Sequence, residues 1–181
     1  LLGDEQLGFY STIYALSQAL MVINSGIAVT MPNFVFSGFK KYINGDTRKK
    51  LIVLYTILSL FVYMILVLSI NMFKDNIEVL SFFTFNSFQQ LQLIFLGIFC
   101  LGLYYFYSVI LIYLKKGRQV SIITMSASVL TITLSYILTT EYSLTGTSLA
   151  TLLTNFIYLI LIFVTANIHV NRIKKDAFLL I

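Results

Sequence analysis

Ser121, Thr124, Ser128, Thr131 and Ser135 recur at steps of three and four, which on a helix gathers five hydroxyls into one stripe. Such a stripe can pack against a neighbouring helix, bond carbonyls one turn back, or line a wet cavity. Packing is the ordinary use of small residues in lipid, where no hydrophobic force draws helices together. Helix packing is therefore the expected role of Ser121 and Ser128, and of Gly146, Ala150 and Thr154, a small-xxx-small series further on. The amides are more telling. Gln18 and Asn24, with Ser11, Tyr14, Ser17 and Ser25 on the same or an adjoining stripe, would leave donors and acceptors unpaired against acyl chains, so they should face protein or water. Asn155 falls beside Thr147, Thr151 and Tyr158. Gly97, Cys100, Tyr104 and Tyr107 align on another helix, where aromatic packing is the commoner use and support of a sugar ring the sharper one.

None of these groups makes a reactive set. The chain has no Ser/His/Asp arrangement, no paired carboxylates, no phosphate-binding glycine loop, and one histidine, His169, which is expected to be solvated. Cys100 is the only cysteine and offers neither a disulfide nor a metal cluster. The expectation is a protein that is not an enzyme and holds no cofactor or metal.

The elements that carry these residues are long and greasy. Of 181 residues, 59% are hydrophobic and 10% charged, and the mean hydropathy is +0.91, so water is not the main solvent. Five apolar runs, at about 8–31, 51–70, 91–114, 120–138 and 147–168, contain no Asp, Glu, Lys or Arg. Each is near the roughly 20 residues that a helix needs to cross about 30 Å of hydrocarbon. The expected fold is all-α: a single polytopic bundle of five transmembrane helices over residues 1–181. Pro32 should end or bend the first helix. Residues 33–50 read as an amphipathic connector with a turn at Asn44 and Gly45, and 169–181 as a basic tail. Phe82, Phe83, Phe85 and Phe88 should lie at the interface or lengthen the third helix. The second helix should be the most lipid-exposed, and Ile122, Met125, Val129, Ile132 and Tyr136 form the apolar side of the fourth. With no Trp, an aromatic belt would use Tyr42, Tyr113 and Tyr142.

The charges orient the bundle. Every Lys and Arg except Lys74 falls in one of three alternate gaps: Lys40 to Lys50, Lys115 to Arg118, and Arg172 to Lys175. Short loops rich in Lys and Arg stay on the cytoplasmic side, which puts the amino end outside and the carboxyl end in the cytoplasm. A net charge of +5 spread over helix ends suits anionic membrane lipid, not nucleic acid.

At the amino end, Leu2-Gly3-Asp4-Glu5-Gln6-Leu7-Gly8-Phe9-Tyr10-Ser11 resembles the Leu-Gly-x-Glu-x-x-Gly-x-Tyr-Ser signature of polysaccharide flippases, within the superfamily of multidrug and oligosaccharidyl-lipid exporters. Pro32 looks like the family proline, and Gly146-Thr147-Ser148-Leu149-Ala150-Thr151 resembles the family's Gly-x-x-Leu-Ala-Thr pattern. The resemblance covers essentially the whole chain. It implies translocation of a polyprenyl-pyrophosphate-linked oligosaccharide, an O-antigen or capsule repeat unit, across the inner membrane by alternating access. It also implies that the chain is one half of a longer transporter: the carboxyl half, helices eight to twelve, with the amino-terminal half as the partner, or, because the two halves resemble each other, helices two to six of the first. On that reading Tyr14, Gln18, Asn24, Ser25, Tyr104 and Asn155 are the expected cavity lining. A cation-coupled multidrug exporter and a structural membrane subunit remain the alternatives.

The topology is testable on a Cys100→Ser background. Lys49→Cys and Lys116→Cys should escape an impermeant maleimide applied to intact cells and react once the cells are opened, whereas Lys74→Cys should react at once. Labelling of positions 49 and 116 from outside would invert the orientation.

Overall fold

Helix-forming apolar runs of this length satisfy all but their terminal backbone donors and acceptors within themselves and put those ends near the interfaces, as a chain in hydrocarbon requires. A computed structural model describes residues 4–73 and 85–178, and among these no strand occurs. The elements are α1 (Asp4–Ser37), the short α2 (Phe39–Asn44), α3 (Asp46–Phe73), α4 (Phe85–Tyr113) and a helical run Gly117–Phe178. Straight, the 62 residues of that last run would extend about 93 Å at 1.5 Å per residue, some three times the hydrocarbon thickness. It does not run straight. At Ser143 the backbone leaves the helical region (φ 54°, ψ −133°) and the chain reverses. Thr139 Oγ1 then lies 2.9 Å from Thr147 Oγ1, although eight residues of continuous helix would part them by about 12 Å. Farther along, Thr124 meets Tyr158 (2.6 Å) and Gln119 meets His169 (2.8 Å). The run is an antiparallel pair, α5 (117–142) and α6 (144–178). Among the described residues four helices are long and apolar enough to span a membrane, and the last of them, folded back at Ser143, supplies two lengths. The protein is an all-α, multi-pass membrane bundle.

Side-chain pairs fix the helix directions. Asn24 with Ile98 and Phe36 with Tyr113 make α1 parallel to α4. Tyr104 with Tyr158 and Tyr107 with Phe163 make α4 parallel to α6, and Tyr55 with Phe106 and Tyr63 with Phe95 make α3 antiparallel to α4. This alternation carries Lys41, Arg48 to Lys50, Lys115, Lys116, Arg118, Arg172 and Lys175 to one end of the bundle, hereafter the basic end.

α4 is the most buried span, wedged between α1, α3 and the α5/α6 pair, with Leu91, Ile94, Ile98, Ile110 and Leu111 in the core. α3 is the least buried, as expected, and Ile122, Met125, Val129, Ile132 and Tyr136 all face outward from α5.

Several boundaries differ from the sequence expectation. α1 continues through Pro32 to Ser37. One lost N–H leaves the rest of the helical ladder intact, and beyond the proline Val35 is fully buried, so packing holds the extension. α3 starts at Asp46, directly after Gly45, whose left-handed φ of 99° supplies the expected turn. α4 starts at Phe85, which takes Phe88 into the helix, while Phe82, Phe83 and Lys74 lie outside the described residues. At its far end Lys115 adopts φ 56° in a Schellman closure, with Lys116 N–H donating to Leu111 O and Lys115 N–H to Ile112 O. The basic tail is not a separate segment as far as residue 178, because α6 runs on through it. Tyr42 joins no aromatic belt: it is buried, and its hydroxyl donates to Phe106 O (2.5 Å). Tyr142 and Tyr113 are exposed.

A positive φ at Ser143 strains an L-residue. Ser143→Gly should raise the stability of the folded protein by about 1 kcal/mol, and Ser143→Val should lower it by at least as much, read by denaturant titration in detergent.

Candidate functional site

The reversal at Ser143 lays the start of α6 beside the end of α5, and both meet the first turns of α1. Between them is a cavity of about 380 Å³, within the roughly 300–1,000 Å³ of ligand pockets. Tyr10, Tyr14 and Met21 of α1 line it, with Ile98 and Leu101 of α4, Thr131 and Ser135 of α5, and Thr147, Thr151, Thr154 and Asn155 of α6. A shallower depression reaches past Thr139 and Leu7 and shares Thr131, Ser135 and Thr147 with it. Together they form a groove of mixed character, with hydroxyls and one amide set among apolar side chains that include Leu7, Met21, Leu101 and Ile132, in the half of the bundle remote from the basic end.

The wall carries phenols, hydroxyls and one amide, and no charge. Most hydroxyls are partly satisfied one turn back: Thr131 donates to Ala127 O (2.8 Å) and Thr151 to Thr147 O (3.1 Å). A hydroxyl used in this way keeps its lone pairs for a ligand. Thr154 is different. Its side chain is only 4% exposed, and Oγ1 is buried without a partner. Burying an unpaired hydroxyl costs about 1–3 kcal/mol, so this atom is poised to gain from a ligand or water in the cavity. Tyr10 Oη and Thr151 Oγ1 stand 3.5 Å apart, at the limit of hydrogen bonding, and Tyr10 stacks on Tyr14 with centroids 6.0 Å apart.

Of the six residues expected to line a path, Tyr14 and Asn155 do line this cavity. Gln18 is half-buried on α1 outside the lining, and Ser25 is exposed, donating to Val22 O (2.8 Å). Asn24 is buried inside the α1/α3/α4 junction, where Nδ2 donates to Ile98 O (2.9 Å) and Oδ1 accepts from Tyr55 Oη (2.9 Å). Gly102 makes room for this pair, since a Cβ there would collide with Tyr55 Oη and Asn24 Oδ1. Tyr104 is buried too, stacked on Tyr158 at 4.2 Å. Both serve packing, because a rigid ring or a doubly bonded amide between helices has no free edge left to offer.

The packing residues divide similarly. Gly146 and Ala150 are buried, and a Cβ at Gly146 would run into the Leu138 carbonyl. Ser121 and Ser128 are exposed instead, each bonded to the carbonyl four residues back, so in the half of the hydroxyl stripe nearer the basic end Thr124, through Tyr158, makes the contact with α6. Thr154 is buried as packing requires, and it also borders the cavity with an Oγ1 that has no partner among the described residues. Tyr10 and Thr154 carried no cavity assignment in the sequence; the periodic hydroxyls of α5 and α6 were the available signal. His169 is not simply solvated: as the partner is an amide oxygen, Nε2–H donates to Gln119 Oε1 (2.8 Å) and ties α6 to α5 at the basic end. Among the described residues no group of His, Cys, Asp and Glu could hold a metal ion.

No family model matches the chain, and neither a curated protein nor a solved structure matches it.

Water access separates the two groups of polar residues. On the Cys100→Ser background, Ser135→Cys and Thr151→Cys should react with a small charged thiosulfonate in reconstituted protein, and Asn24→Cys should stay inert until the protein is unfolded. Equal reactivity at all three positions would erase the distinction between groove and packed interior.

Proposed function

We propose that this chain is one half of a membrane carrier that moves a lipid-linked oligosaccharide across the inner membrane, with the glycan passing along the groove between α1, α5 and α6. The observation that carries the reading is a convergence of two distant segments. Tyr10, from the amino-terminal segment that resembles the flippase signature, approaches Thr151, from the segment 146–151 that resembles the second family pattern, and both line one cavity. A shared function gives residues 141 positions apart a reason to meet at a recess in lipid.

The chemistry suits a glycan. Sugar hydroxyls entering hydrocarbon lose their hydrogen bonds to water, and the cost is prohibitive unless protein donors and acceptors replace them. Hydroxyls and amides both donate and accept, so the groove can satisfy a polyhydroxylated ligand in several registers, which helps a cargo that must move on. Tyr10 and Tyr14 add ring faces for the apolar side of a pyranose. In this reading the basic end is cytoplasmic, and the groove belongs to the outer half of the bilayer. Alternating access then follows from rocking this bundle against the amino-terminal half of the transporter around a central path.

In the complete transporter, Asn155→Leu and Thr151→Val should each lower surface glycan by up to about tenfold at normal membrane expression, the loss of roughly one hydrogen bond at the limiting step. Met125→Leu on the exposed face of α5, outside the groove, should change nothing. Undiminished export by both groove variants would leave the chain as a structural subunit.

A further inference from the structure

Arg48 opens a second site at the other end of the bundle. Its guanidinium carbon lies 5.2 Å from the centroid of the Tyr107 ring, and Nη1 is buried with no hydrogen-bond partner. No carboxylate pairs with it among the described residues. A guanidinium stripped of water on one nitrogen and lacking a counter-charge is an unfinished anion site, for which its planar fork is suited to phosphate.

The surroundings say what kind of anion. Ile52, one helical turn beyond Arg48 on the same face of α3, begins an apolar cleft of about 250 Å³. Leu103 and Tyr107 of α4 and Leu159, Ile160 and Phe163 of α6 complete it. Tyr107 belongs to both parts: its ring carries the guanidinium and also walls the cleft. Ile160 and Phe163 are exposed, so the cleft opens towards lipid. The order from the basic end inward is cation, aromatic ring, then a greasy slot at hydrocarbon depth. A free phosphate would leave the slot unused, and a neutral lipid would leave the guanidinium unpaired.

The geometry points to a binding site for an anionic phospholipid of the surrounding leaflet, its phosphodiester on Arg48 and an acyl chain in the cleft between α3, α4 and α6. This site is separate from the groove, and it depends only on the chain spanning a membrane. Its occupant would brace α3, which has few other contacts, against the rest of the bundle. The exposed cations Lys49 and Lys50 raise the local concentration of anionic headgroups without selecting a position for one.

The test uses the full chain in phosphatidylcholine nanodiscs titrated with phosphatidylglycerol, read by bound lipid in native mass spectrometry and by Tm. Phosphatidylglycerol should be retained about tenfold better than phosphatidylcholine and should raise Tm. Arg48→Gln should abolish that preference, and Arg118→Gln, an exposed cation at the same end, should preserve it. Ile160→Trp, which fills the cleft and leaves Arg48 in place, should weaken retention and covers the case in which Arg48→Gln fails to fold. Equal retention of the two lipids, or a preference that survives Arg48→Gln, overturns the site. Glycerol 3-phosphate binding as well as the lipid overturns the role of the cleft. Displacement of phosphatidylglycerol by equimolar polyprenyl phosphate reassigns the site to a carrier lipid and overturns the choice of occupant. None of these readouts uses glycan export, so their failure is distinct from failure of the carrier reading.

Discussion

Every polar group placed at membrane depth must be paired inside the protein or kept wet, because hydrocarbon supplies no partner. The rest of the structure follows from how this chain meets that demand. Serines and threonines turn their hydroxyls back onto carbonyls three or four residues earlier, which hides them within a single helix at almost no cost in packing. Amides cannot hide that way. Asn24 therefore binds across helices, to the Ile98 carbonyl and to Tyr55 Oη, and joins α1, α3 and α4 at one point. Interhelical hydrogen bonds of this sort contribute about 0.6 kcal/mol on average, so their effect is less to strengthen the bundle than to select one register among many apolar ones.

The same demand shapes α4. Its packing surface must accept an amide and a phenol from two neighbours and the backbone of a third, and glycines create the space. At Gly97 a Cβ would lie 3.1 Å from Leu152 Cα, so α4 and α6 approach almost backbone to backbone, while Gly102 admits the Asn24–Tyr55 pair on the other side. Tyr104, stacked on Tyr158, continues the α4–α6 contact beyond these two levels towards the basic end. α4 thus becomes a rigid spine whose sides are committed to structure. Polar groups with spare bonding capacity are left to the outer junction of α1, α5 and α6, where the groove is found.

Much of this was legible in the residues, for physical reasons that also explain what was not. Charge-free runs of about 20 residues bounded by Lys and Arg mark spans directly, because insertion cost depends on composition alone. Gly45 marked its turn because only glycine adopts a φ of 99° freely. The periodic apolar residues of α5 marked its lipid face for the same compositional reason. Pro32 does not end α1, because the strength of a proline break depends on what packs beyond it, and nothing local encodes the burial of Val35. The reversal at Ser143 is legible only to within a few residues, between Leu138 and Thr147, since no Pro stands there and the one glycine, Gly146, lies three residues past the turn inside α6, packed on the Leu138 carbonyl. Asn24 and Asn155 looked equivalent as intramembrane amides. Which one is tied down depends on whether a tyrosine and a free carbonyl reach it from other helices, and that is a property of the assembled bundle.

The two recesses lie at opposite ends of the bundle, and the proposed carrier function gives that placement a use. The groove lies where α1, α5 and α6 diverge, towards the end remote from the cations, and the apolar cleft lies across the bundle where α3 meets α4 and α6 near the basic end. α4 lines both, and between them its middle is tied to α1, α3 and α6 through Asn24, Tyr55 and the Tyr104–Tyr158 stack. A carrier that rocks as a unit needs such a tied middle: strain at one recess is then passed on as rotation of the whole bundle and is not absorbed by side-chain rearrangement. The weakly attached α3 is the exception, and it is the one helix whose contacts with α4 and α6 run past a cleft open to lipid. Its position is therefore set as much by what the bilayer places in that cleft as by the protein itself.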